Sequence, residues 1–93
     1  MTKPFRWGAD KNEQLVRERG LSFERVVVAI ESGDLLQILQ HQNPEKYPRQ
    51  KIMVIMVDAY AHLVPYVEKD DFYFLKTIIP SRKATRDFLT AKE

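Results

Sequence analysis

The stretch Pro80-Ser81-Arg82-Lys83-Ala84-Thr85-Arg86 joins an apolar strand pattern to a cationic helix start. Pro80 has no N–H to give to a sheet ladder, and Ser81 can accept from the N–H groups of the next turn, so a strand ends and a helix begins there. Arg82, Lys83 and Arg86 then crowd a helix N-terminus whose dipole is already positive. An anion bound at that place resolves the conflict, and a phosphate has the right charge. The competing explanation is a solvated helix face, the usual fate of a charge run.

A second set of chemical groups lies upstream. Lys51, Tyr60, His62 and Tyr66 alternate with aliphatic residues over two consecutive strand patterns, and aromatic rings interleaved with cations are what single-stranded RNA recognition uses. Ordinary cross-strand packing, or a docking face for a protein, would give the same residues. His41 and His62 are the only histidines and lack a metal-ligand spacing, and there is no cysteine. Neither a metal nor a thiolate site is expected. With three glycines in the chain no phosphate-cradling Gly-rich loop exists, and no cofactor is implied.

The elements that must hold these groups follow from periodicity. Ninety-three residues with 44% hydrophobic content suit one domain over 1–93. No apolar run approaches the roughly 20 residues of a membrane span, the amino terminus lacks a signal-peptide pattern, and a cytoplasmic protein is the expectation. Net charge is +2, but from Lys76 onward five Lys and Arg stand against two acidic residues, so the basic excess lies at the carboxyl end.

Phe5-Arg6-Trp7 reads as an edge strand or clasp. Asp10 is expected to cap a first helix that stops at Gly20, and Ser22 a second that carries Phe23, Val26, Val27 and Ile30 and stops at Gly33. The two make a helical hairpin. Strands are expected over 35–41, where Leu35, Leu36, Ile38 and Leu39 also fit a helical turn, and over 51–58, 60–68 and 72–79, with Asp58-Ala59 as a tight turn and Asn43-Pro44 through Tyr47-Pro48 as a polar loop long enough to be mobile. The class is therefore α+β: a helical hairpin on a four-stranded antiparallel sheet, then a short C-terminal helix. Alternation groups Ile52, Val54 and Met56 with Ala61, Leu63 and Pro65, a uniformly apolar face expected to meet the helices. Lys51, Tyr60, His62 and Tyr66 would then lie on the open face.

Phe5-x-Trp7, Lys11-Asn12, Arg19-Gly20-Leu21-Ser22-Phe23-Glu24 and Ser81-Arg82-Lys83-Ala84-Thr85-Arg86 together resemble the BrnT-like toxins of bacterial type II toxin–antitoxin systems. The resemblance implies a fold related to RelE-type ribonucleases, an RNA-cleaving activity that arrests translation, and neutralisation by a small DNA-binding antitoxin, through which oligomers would form. The family commonly has Asp directly after the tryptophan, whereas Gly8-Ala9 follows Trp7 here.

The leading expectation is thus a metal-independent endoribonuclease in which the RNA's own 2′-hydroxyl attacks the adjacent phosphate. Lys51, Arg82 and Arg86 are the candidates to stabilise the oxyanion, and His62 or Tyr66 to move the proton, with His41 in reserve. Arg49, Tyr60, Lys76 and Lys83 are the further candidates for RNA contact. The alternatives are an interaction module that binds nucleic acid or protein without cutting, and a decayed toxin that still pairs with its antitoxin.

Overall fold

A computed structural model describes residues 1–91, with side chains as far as Phe88. Lys92 and Glu93, counted above in the C-terminal charge balance, lie outside them. The class is α+β, with three helices and a mostly antiparallel sheet.

Helix α1 spans Ala9–Arg19 and α2 spans Phe23–Glu31. Gly8, and not Asp10, is the N-cap of α1, and Asp10 falls inside the first turn, where its carboxylate meets the positive end of the helix dipole. Gly20 ends α1 in the left-handed region at φ +65°, its N–H donating to the Val16 carbonyl. Ser22 caps α2 as its sequence position requires, with Oγ accepting from the Arg25 N–H at 3.2 Å. Asn12 ties the two helices: its Oδ1 accepts from the Phe23 N–H at 2.8 Å and its Nδ2 donates to Glu24 at 2.7 Å.

The strands are β1 (Phe5–Trp7), β2 (Leu35–Gln40), β3 (Gln50–Val57), β4 (Tyr60–Glu68), β5 (Tyr73–Leu75) and β6 (Ile79–Pro80), in the order β1-β5-β4-β3-β2 with β6 also on β4. Four strands is too few, for two physical reasons. The amino-terminal segment pairs parallel with β5, Phe5 opposite Tyr73, and so extends the sheet. The expected strand over 72–79 breaks in two because it runs beside Pro65, which has no N–H to donate. Only the Pro65 carbonyl is used, accepting from the Lys76 N–H at 2.8 Å. The chain leaves the ladder after Leu75 and rejoins it where Ile79 faces Leu63.

The face assignment is inverted. Leu15, Phe23, Val26 and Ala29 of the first two helices pack with Met53, Ile55, Val57, Val64 and Tyr66, so the face expected to be open is the main core. The opposite face, with Val54, Ala61 and Leu63, receives α3 (Arg82–Ala91). Both faces of β3 and β4 are apolar enough to need cover, and alternation alone does not say which helix covers which. Trp7 stacks on Phe23 at 5.6 Å and closes the core at the β1 edge.

Asp58 and Ala59 form the β3–β4 turn with φ of +53° and +62°. Two consecutive left-handed residues define the hairpin turn that matches strand twist, and alanine is strained there. Ala59→Gly is expected to raise the unfolding free energy by about 1 kcal/mol, read from urea denaturation; an unchanged or lower midpoint would contradict the strain.

Candidate functional site

Helix α3 is fixed to the start of β4. Ser81 donates its N–H to the Ala61 carbonyl at 2.9 Å, and its Oγ accepts from the Ala84 N–H at 3.0 Å, which is the cap that the sequence calls for. Thr85 Oγ1 accepts from the Ala61 N–H at 2.8 Å and donates to the Ser81 carbonyl at 2.7 Å. The three cations of this helix are all exposed. Lys83 rims an apolar groove of about 510 Å³ lined by Leu36, Leu39, Val54, Leu63 and Phe88. Arg82 and Arg86, one turn apart, are not among its lining residues, and Arg86 stands 3.9 Å from Asp87.

Lys51 is at the far end of the sheet. It faces Tyr66, whereas Ala61 faces Met56, and five residues of strand span roughly 17 Å. The expected cluster of Lys51, Arg82 and Arg86 is therefore not assembled within this chain. Lys51 also has a partner: its Nζ donates to Glu68 Oε1 at 3.3 Å, while Lys3 Nζ holds Oε2 at 3.0 Å. The Lys3 hydrogen bond first and the Lys51 one second keep the Glu68 carboxyl below the usual carboxylate range. Arg49 is similarly engaged, with Asp70 at 2.8 Å and the Glu68 carbonyl at 3.1 Å.

Of the two proton-transfer candidates, neither is open to solvent. Tyr66 is 2% exposed with its ring edge-on to Tyr73 at 5.8 Å, and its phenol is pushed up to about 12 by burial, by the Glu68 charge and by Tyr73. It is a neutral phenol at physiological pH, able to donate and not to accept a proton from substrate. His62 is 9% exposed, edge-on to Tyr60 at 5.7 Å, with a buried Nδ1 that has no hydrogen-bond partner. Burial lowers its pKa, outweighing the opposite effects of the Tyr60 backbone and of Asp58, and the Arg19 charge adds the smallest effect in the downward direction.

The reserve candidate, His41, lines a cleft that Tyr66 also borders. His41, Gln50, Lys51, Ile52, Pro65, Tyr66 and Lys76 surround a hollow of about 120 Å³ at the end of β2 and β3. Lys76 is exposed and, among the described residues, makes no ion pair. His41 Nδ1 accepts from the Asn43 N–H at 3.0 Å, and the ring lies 4.6 Å from that of Tyr47. The polar loop expected from Asn43 to Pro48 contains hydrogen-bonded turns: the Tyr47 N–H donates to the Asn43 carbonyl at 3.0 Å, and the Gln50 N–H to the Tyr47 carbonyl at 3.2 Å.

Gln50, Asn43 and Tyr47 were therefore absent from the sequence-based set. Their signal was the His-Gln-Asn-Pro and Tyr-Pro turn chemistry on either side of the polar stretch, which can fold back on the histidine. Among the described residues no three His, Asp or Glu side chains converge as metal ligands, and no helix is long and apolar enough to cross a membrane. Compared with known proteins, the chain matches no protein-family model, and no curated protein matches it.

Because the His62 pKa is lower in the folded state than in the unfolded chain, acid favours unfolding. The stability it contributes is complete above the unfolded value, near 6.5, and is lost as pH falls from there toward the folded value. The urea midpoint should fall between about pH 7.5 and 5, above the main carboxylate range, and His62→Leu should flatten that slope. An equal slope in the variant would show that other groups govern the acid response.

Proposed function

We propose that the protein is a metal-independent endoribonuclease of the BrnT-like, RelE-related kind, working in the cytoplasm as a toxin that arrests translation until a cognate antitoxin neutralises it. The observation that carries this reading is the cleft in which an imidazole, an unpaired ammonium and a carboxamide, those of His41, Lys76 and Gln50, surround one small hollow. That donor set suits a phosphodiester. The 2′-hydroxyl of the bound RNA attacks the adjacent phosphorus, the bond to the 5′-oxygen breaks, and a 2′,3′-cyclic phosphate forms. Lys76 stabilises the extra negative charge of the pentavalent state, and charge neutralisation of that kind is worth about 10² to 10³ in rate.

Within this reading the cations divide by role. Lys51 supports the cleft from the neighbouring strand while sharing its charge with Glu68, which weakens it as an oxyanion partner. Arg82, Lys83 and Arg86 act at a distance, drawing the polyanion toward the sheet and holding the flanking strand. A second reading is favoured by the exposed apolar residues of β2, Ile38 at 45% and Leu39 at 36%, beside the α3 groove. Those features suit a module that binds a protein partner and cuts nothing.

Purified protein incubated with RNA in EDTA separates the two. Cleavage should persist in the chelator, fall about 10²-fold in Lys76→Ala, and show mainly a raised KM in Arg82→Ala. No cleavage of any RNA, ribosome-bound message included, would sink the enzyme reading and leave the binding module.

A further inference from the structure

The proton on His41 is set by the chain that follows it. Nδ1 accepts from the Asn43 N–H at 3.0 Å, so that nitrogen offers a lone pair and carries no hydrogen. The neutral ring then bears its proton on Nε2. A half-turn of the ring would replace Nδ1 by a carbon and forfeit the bond. Tyr47 opposes that motion, with its ring 4.6 Å away at 46°, and is itself held by its backbone bonds to Asn43 and Gln50.

The polar edge left to the cleft is consequently a donor. Its two neighbours there, the Lys76 ammonium and the Gln50 amide, also have N–H groups to give. The carboxylate that could compete for them, Glu68, is taken up by Lys3 and Lys51. Side chains with donors to give, set beside the apolar Ile52 and Pro65 around one hollow, suit an anion with several oxygens.

We propose that His41 serves this cleft as a fixed Nε2–H donor which, with Lys76 and Gln50, binds the non-bridging oxygens of a phosphodiester, and that Asn43 and Tyr47 are the positioning residues that fix it. The role in turnover rests on the ribonuclease reading; the tautomer and the anion site do not. In turnover His41 stabilises phosphoryl charge, the 2′-hydroxyl proton departs to water, and water protonates the departing 5′-oxygen as its bond to phosphorus breaks.

The test uses the full ¹⁵N-labelled chain. Long-range imidazole correlation spectra, with the two histidines told apart by His62→Gln, should give the Nε2–H pattern for His41; an Nδ1–H pattern overturns the proposal. An uncleavable 2′-deoxy dinucleotide is then titrated, with inorganic phosphate as the second arm. The diester should shift the His41 Nε2 signal. Binding of phosphate alone overturns the diester assignment.

His41→Gln keeps an amide donor near the Nε2 position and should retain binding within a few-fold. His41→Asn, whose amide sits at the Nδ1 position, should weaken it about tenfold or more. Equal binding by both variants overturns the donor role. Tyr47→Leu should mix the tautomers and Tyr47→Phe restore the single one, a readout that a purely structural role would not move. Should tautomer and diester binding hold while RNA stays intact, the ribonuclease reading fails and this one stands.

Discussion

The constraint on which the rest depends is that β3 and β4 are apolar on both faces. A strand pair of that kind needs cover above and below, since each buried side chain of this size contributes roughly 1.5 to 3 kcal/mol and loses it if left in water. The first two helices supply one layer through Leu15, Phe23, Val26 and Ala29. The second layer is a single helix locked to the start of β4, and it leaves β2 and the far end of β3 partly bare. The groove and the cleft both occupy that uncovered part. Incomplete cover, more than any catalytic motif, determines where this molecule can meet something else.

Electrostatics then narrows the choice. Lys3, Lys51 and Glu68 form a three-member chain that joins the amino terminus to the middle of the sheet, and Arg49 with Asp70 secures the β4 end beside it. Exposed pairs of this kind add little stability individually. They do occupy cations that composition alone would count as available. Lys76, beside the gap that Pro65 makes in the ladder, is exposed and makes no ion pair among the described residues. A proline in a strand has thus produced both the interruption and the cation beside it.

The sequence was most legible where a local rule acts on a short span. Ser22 and Ser81 cap the helices expected of them, Gly20 stops α1 in the left-handed region, and the Asp58-Ala59 turn adopts the positive φ pair that its strands require. It was least legible where the deciding partner is distant. Nothing near Phe5 says that it will pair with Tyr73, and no period-2 pattern says which face of Met53 or Val54 takes which helix. The candidate site suffered from the same blindness. Alternation puts His62 and Tyr66 on a face that turns out to be core, where Tyr66 still borders the cleft, while His41, at the end of the least patterned stretch, is held at the cleft by Asn43 and Tyr47.

The parallel pairing of β1 with β5 bears on synthesis. Residues 5–7 belong beside residues 73–75, so the sheet cannot close at that edge until the chain between them has been made. Until then Phe5 and Trp7 wait in water, and the core face around Phe23 and Tyr73 lacks its last wall. Closure of that edge therefore comes late, and a nascent chain cut short before Tyr73 would leave that seam open.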